Sequence, residues 1–336
     1  MVEPTDIIEA DDDSFTYEGA DLGGESSLLS LTSSVLKGVE ENGRTYASYG
    51  KEGAVNMERL WTSRRWTGSI WLMRNIAPIL ANPQKVVDLE CGTGIWSIGF
   101  ADANPSADVT IATWNKLENV NDWHQVTVID IAPIQLKWTA PNCHFEIDDI
   151  EQPWTWREES FDYIFSRDLL LCTRDYPRLI EQCYRYLKPG GYLEFQCIDS
   201  SLACDDGTLP NDSPFAEYDP LLRAAATAFR TPLEDPKHYT KWFKAAGFER
   251  VTEKIFKMPT SPLPKDPRLR LVGAFEQENL TLNLEGISTR VFRQGLGYGV
   301  DKSTVFFASV RKDIKNRRQH SYYPFYVVYG QKPGAL

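Results

Sequence analysis

The sequence predicts an α/β fold, a doubly wound parallel sheet. Three observations carry the expectation. Short apolar runs alternate with helical stretches between Val86 and Cys197, the pattern of strands joined by crossover helices. The first run ends in Glu90-Cys91-Gly92-Thr93-Gly94 and leads into an apolar segment able to start a helix. Glycines at such a turn let backbone N–H groups approach a ligand closely. Acids close three of the runs, at Asp88, Asp130 and Asp149. In a parallel sheet they share one crevice outside the strand C-termini.

Taken in order, residues 1–36 are acidic and then serine-rich, with too little apolar surface to offset the entropy of ordering. A disordered tail is expected there, with a single domain over 37–336. Residues 41–82 read as a helical cover, entered by a turn at Asn42–Tyr46 and carrying Trp61, Trp66 and Trp71 at five-residue spacing. Residues 83–200 are the sheet core. Its strands are Val86–Leu89, Val126–Asp130, His144–Ile147, Phe161–Phe165 and Tyr192–Cys197, with helices at Ile95–Asp102 and Tyr176–Leu187. Residues 201–333 continue with helices, a strand at Val251–Met258, a proline-rich link, a long helical section and a last strand at Phe325–Tyr329. The two late strands suit an antiparallel end to the sheet.

Composition narrows the function. Of the net charge of −11, residues 1–40 account for −9, so the remaining chain is near neutral and offers no electrostatic footprint for nucleic acid. The 6 cysteines include no C-x-x-C pair, and the 4 histidines lack metal-ligand spacing, so no metal is expected. With no apolar signal segment and no membrane-length apolar run, a cytoplasmic or nuclear location is expected.

The spacing of the second acid is unusual. Asp130 lies 36 residues beyond Gly94, where a ribose-binding acid is expected roughly 20 beyond the turn. Removing Val109–Gln125 joins Asp108 to Val126 and restores that distance. These residues therefore read as an insertion, either an in-frame retained intron or a surface loop, entering on the side of the sheet opposite the crevice. Val109–Ala112 is itself apolar enough to take the strand's place, but that strand would run toward Asn115 and lack the acid.

The turn selects a cofactor. A dinucleotide fold wants G-x-G-x-x-G, but from Gly92 the third glycine position is Ser97. An acid at the strand end followed by G-x-G suits S-adenosylmethionine (SAM). On that reading Asp88 orients the turn and meets the ammonium. The backbone from Cys91 through Gly92 to Gly94 receives the carboxylate, Asp130 takes the ribose hydroxyls, and Asp149 with the Ile150 backbone takes the adenine. Methyl transfer from a sulfonium needs mostly positioning and water exclusion. His320, beside Tyr322 and Tyr323, and Arg167, after the fourth strand, are the candidates for catalytic contributions. Neither the Asn/Asp-Pro-Pro-Tyr motif of amine-directed DNA methyltransferases nor a Pro-Cys nucleophile is present.

Several further segments carry a resemblance. They are Glu41–Tyr46, Asp88–Trp96, Asp130–Gln135, Phe145–Asp149, Leu187–Gly191, Asp205–Leu209, Pro264–Leu269 and Pro324–Gly330. Together they resemble the LaeA-like SAM-dependent methyltransferases of filamentous fungi. The resemblance implies a class I, Rossmann-like methyltransferase fold. It also implies either a small-molecule methyl acceptor from secondary metabolism or a regulatory role with velvet-type protein partners. The chain departs from the family at Glu90, where the first glycine of the turn is expected. It departs again at Ala54–Arg65, which replaces an acidic segment, and at Val109–Gln125.

Overall fold

In the computed structural model, the structure describes residues 76–79, 82–91, 94–113, 141–147, 150–230, 233 and 236–334, with the backbone alone at 39–41, 44–46, 110–113 and 145–147. Two short strands, β1 (Val39–Glu41) and β2 (Arg44–Tyr46), pair antiparallel. The expected helix entry is thus corrected: Arg44–Tyr46 pairs back on the preceding strand. The tryptophans of the expected helical cover and the acidic tail lie outside the described residues.

The sheet begins with β3 (Lys85–Leu89), whose residues Val86 to Leu89 are all buried. A strand buried on both faces loses the polar/apolar alternation, as parallel strands do. It is followed by α1 (Ile95–Ala103), then β4 (Asp108–Thr113) and β5 (Cys143–Ile147). Across the sheet come β6 (Phe161–Arg167), α2 (Tyr176–Tyr186) and β7 (Leu187–Ile198). Asp175 caps α2 by accepting from Arg178 N–H at 3.0 Å.

The strand beside β3 corrects the sequence reading. Asp108–Thr113 pairs in parallel with both Lys85–Leu89 and Cys143–Ile147. The first residues of the supposed insertion are therefore a central strand, and Val126–Asp130 lies outside the described residues. Chain direction changes with it. β4 runs parallel to β3, so the chain leaves Thr113 at the cofactor edge, not at the opposite one. The local reason is that Val109 is fully buried in a core that also holds Val86 and Cys143.

Beyond β7 the chain adds β8 (Ala203–Cys204), α3 (Pro214–Ala228), α4 (Tyr239–Ala245), β9 (Glu249–Pro259), α5 (Pro267–Leu296), α6 (Val300–Ile314) and β10 (Ser321–Gln331). The main order is β5-β4-β3-β6-β7-β10, with β9 and β8 also paired to β10. β10 runs antiparallel to β7 and β9, the expected antiparallel end. Strand order reverses between β3 and β6, and ligands of such sheets bind at that switch point.

Three apolar clusters hold the layers together. On one face Trp96 of α1 stacks on Phe165 of β6, with ring centroids 3.7 Å apart. On the other, α2 and α4 pack Tyr176, Tyr239 and Phe243 beside Phe195. The third joins α3, α5 and α6 to β9 and β10 through Phe215, Phe292, Phe307 and Phe325. Helix α5 fits closely because Gly273 and Gly295 lie against the Ser261 and Ala225 carbonyls, where a Cβ would come within 1.9 and 2.2 Å of the oxygens. Among the described residues no helix is long and apolar enough to cross a membrane.

Candidate functional site

Asp88, one residue before the end of β3, has its side chain buried, and the Ser97 hydroxyl of α1 donates to it. Burial pushes its carboxyl up to about 7, opposed by the Ser97 hydrogen bond and the charge of Arg167. The turn between them is sharply bent. Glu90 has φ 58° and Gly94 has φ 71°, both left-handed. At Gly94 that conformation costs little, whereas at Glu90 a Cβ opposes it. The Gly94 N–H donates to the Cys91 carbonyl at 3.1 Å, closing the turn.

No side chain caps α1, and its first turn carries no acid. Its leading N–H groups therefore suit an anion such as the carboxylate of a bound amino acid. The residues fit the methionine moiety of SAM: an uncapped helix start for the carboxylate, and the Asp88 carboxyl beside it.

At the end of β6, Arg167 donates from Nε and Nη2 to Gln196 Oε1 at 2.9 and 2.7 Å. Burial lowers its pKa, while Asp168, Asp88 and Glu194 oppose that effect. Glu194 is buried one strand away and accepts from Ile76 N–H, Ala77 N–H, Tyr163 Oη and Gln196 Nε2. It thereby ties the segment leading into the sheet onto β7. Asp168 follows with φ 52°, buried, and its Oδ1 accepts from Ile198 N–H at 2.9 Å. Burial raises its carboxyl to about 6.

Asp168 also lines a mainly apolar cavity between the sheet edge and helices α3 and α5, holding about 690 Å³ of empty space counted with its open mouth. Leu171, Leu222, Tyr218, Tyr323 and Glu276 are among its other walls.

The sequence-predicted residues divide into three groups. Asp88, Cys91 and Gly94 come together at the β3–α1 turn, and Arg167 ends the neighbouring strand. Gly92, Asp130 and Asp149 lie outside the described residues. Ile150 is buried, and its carbonyl accepts from Trp154 Nε1 and Gln182 Nε2. His320 is not among the residues lining the cavity. Its Nδ1 faces Asp206 Oδ2 at 2.6 Å and its N–H donates to Thr208 Oγ1 at 2.9 Å, clamping the loop after β8 onto β10.

Sequence reasoning missed Ser97, Asp168, Asp219 and Glu276. Ser97 occupies the third glycine position of a dinucleotide turn, and that departure was the available signal. Glu276, Asn279 and Asn283 share one helical face by their spacing, although nothing in the sequence shows that this face is buried.

A sheet whose order reverses beside an uncapped helix start, with a half-open cavity at the same edge, defines a Rossmann-like protein of the class that binds nucleotide-type cofactors. The comparisons with known proteins narrow that class. Residues 64–253 match the family described as a methyltransferase domain. Methyltransferase pytC of Aspergillus terreus is 30% identical over 98% of both chains. Secondary metabolism regulator LAE1 of Cochliobolus heterostrophus is 31% identical, covering 76% of this chain and 80% of that one. Among solved structures, phosphoethanolamine N-methyltransferase 2 of Haemonchus contortus, in complex with SAM, is 18% identical. The match has a TM-score of 0.46 and covers 80% of this chain and 53% of that one. The chain belongs to the LaeA-like family of fungal SAM-dependent methyltransferases.

Proposed function

We propose that the protein methylates a small molecule of fungal secondary metabolism held in the cavity beside Asp168. The observation that carries this reading is the cavity itself, half open, walled by α3, α5 and the sheet edge and lined mainly by apolar and tyrosine side chains. Such walls hold a small molecule and exclude water.

In this reading the α1 N–H groups and the backbone of Cys91, Gly92 and Gly94 hold the methionine carboxylate. Asp88 meets the ammonium, and Asp149 with the Ile150 backbone the adenine. Bound SAM supplies an electrophilic methyl group on a sulfonium. The protein's part is to place the acceptor atom in line with that methyl and keep water away. Asp168 lines the cavity and can take a proton from the acceptor, because its carboxyl, raised to about 6, is mostly ionised at neutral pH yet more basic than an ordinary carboxylate. Arg167 is held by Gln196 and acts by position.

The test is calorimetry with SAM, followed by transfer of labelled methyl groups to separated small-molecule and protein fractions of a fungal extract. Label in the small-molecule fraction supports the reading, and well-folded protein without SAM affinity overturns it. The second reading is a regulator acting through protein partners, velvet-type ones included. It is supported by relatives named as secondary metabolism regulators, and label confined to protein would favour it.

A further inference from the structure

Among the described residues, three carboxyl groups face the acceptor cavity, from Asp168, Asp219 and Glu276, and no lysine or arginine lines it. Two of them are already supported. Asp168 accepts from Ile198 N–H and has Arg167 behind it. Asp219 accepts from Leu202 N–H at 3.0 Å and from the Tyr323 hydroxyl at 3.1 Å, with Arg223 nearby.

Glu276 is different. It is 1% exposed, and among the described residues its one hydrogen bond comes from Asn279 Nδ2 to Oε2 at 3.3 Å. Asn279 is in turn held by Asn283, whose Nδ2 donates to Asn279 Oδ1 at 2.7 Å. This polar line runs along α5 and brings the carboxyl to the cavity wall, where Asn279 is its one hydrogen-bond donor among the described residues. Among the described residues no cation offsets it: the charge acting on it is that of Asp168, which shares its sign. Burying an acid with so little support is costly, and an apolar residue there would pack without that cost.

We infer that Glu276 is the recognition group for a basic nitrogen on the methyl acceptor, so the acceptor is an aromatic or apolar molecule carrying a protonated amine. The inference rests on the reading that this cavity holds the acceptor. An ammonium entering beside Glu276 supplies the missing counter-charge and donor, and the tyrosine and leucine walls cover the rest of the molecule. Ionising Glu276 as the cation binds releases a proton, because the empty, buried acid holds its proton near neutrality, at a pKa of about 8.

The experiment is calorimetry on the full chain saturated with S-adenosylhomocysteine, comparing tryptamine with tryptophol, its neutral alcohol counterpart. Tryptamine is expected to bind at least about ten-fold more tightly, the scale of one charged hydrogen bond. At pH 6.5 its binding heat should vary with the ionisation enthalpy of the buffer, reporting proton release. Glu276→Gln, which keeps size and shape, should abolish both the preference and the release while S-adenosylhomocysteine still binds. Equal affinity for the two ligands, no binding of either, or a preference that survives in Glu276→Gln overturns the inference. If S-adenosylhomocysteine binds normally in that case, the failure belongs to the amine inference alone. Loss of S-adenosylhomocysteine binding in the wild type overturns it together with the reading beneath it.

Discussion

Ser97 in the first turn of α1 donates its hydroxyl to the buried carboxyl of Asp88 near the end of β3. One hydrogen bond thus ties the strand, the turn and the helix start that frame the cofactor edge. Ser97→Ala leaves the buried acid without that donor, which costs about 1–3 kcal/mol of stability. It also raises the Asp88 pKa further and weakens SAM binding at neutral pH. Denaturant melts and SAM calorimetry at pH 6 and 8 check both effects, and the affinity loss should be larger at the lower pH.

Glu90 adopts a left-handed backbone, φ 58°, at the position where the family resemblance leads one to expect the first glycine of the turn. Glu90→Gly removes a conformational penalty of about 1–2 kcal/mol, partly offset by the extra freedom of glycine in the unfolded chain. A net gain of up to about 1 kcal/mol is expected from equilibrium unfolding, with SAM affinity rising as a carboxylate leaves the anion-binding turn. No gain in either measurement would mean that Glu90 forms compensating interactions.

The site carboxyls predict an acid-side stability maximum. The folded pKa values of Asp168, Asp88, Asp219 and Glu276 are raised to about 6, 7, 7 and 8, in each case mainly by burial. Ordinary carboxyls titrate near 4, so the fold holds these protons more tightly than the unfolded chain. The resulting stabilisation is full below about pH 4 and is lost as pH rises through 6 to 8. Urea unfolding of the protein should therefore give a lower free energy at pH 8.5 than at pH 5.5. Glu276→Gln should remove the upper part of that decline.

Glu194 accepts hydrogen bonds from the N–H groups of Ile76 and Ala77, from the Tyr163 hydroxyl and from Gln196. Glu194→Ala orphans these donors at once. A loss of about 3 kcal/mol is expected, together with faster amide exchange at Ile76 and Ala77. Unchanged exchange there would show that the segment is held by other contacts.

Gly273 faces the Ser261 carbonyl so closely that an added Cβ would lie 1.9 Å from the oxygen. Gly273→Ala must push α5 outward, at a cost of about 3 kcal/mol by overpacking. Because α5 carries Glu276 into the cavity, acceptor-site ligands should weaken more than SAM does.

The sequence by itself determined the α/β class, the β3–α1 turn and the antiparallel end of the sheet. These are local matters: apolar runs such as Val86–Leu89, glycine at Gly94, and proline and capping residues such as Asp175 at helix starts. It also supplied the cofactor class, through the turn at Asp88 and G-x-G taken together with the downstream acids and the segments that resemble the family. What only the tertiary structure decided was which of two similar segments lies beside β3. Asp108–Thr113 and Val126–Asp130 are both short and β-prone, and strand order is set by burial across the whole sheet rather than by propensity. The acceptor cavity belongs to the same category. Asp168, Asp219 and Glu276 lie far apart along the chain. Their shared environment exists only once α3 and α5 have packed against the sheet edge, and that packing strips water from all three.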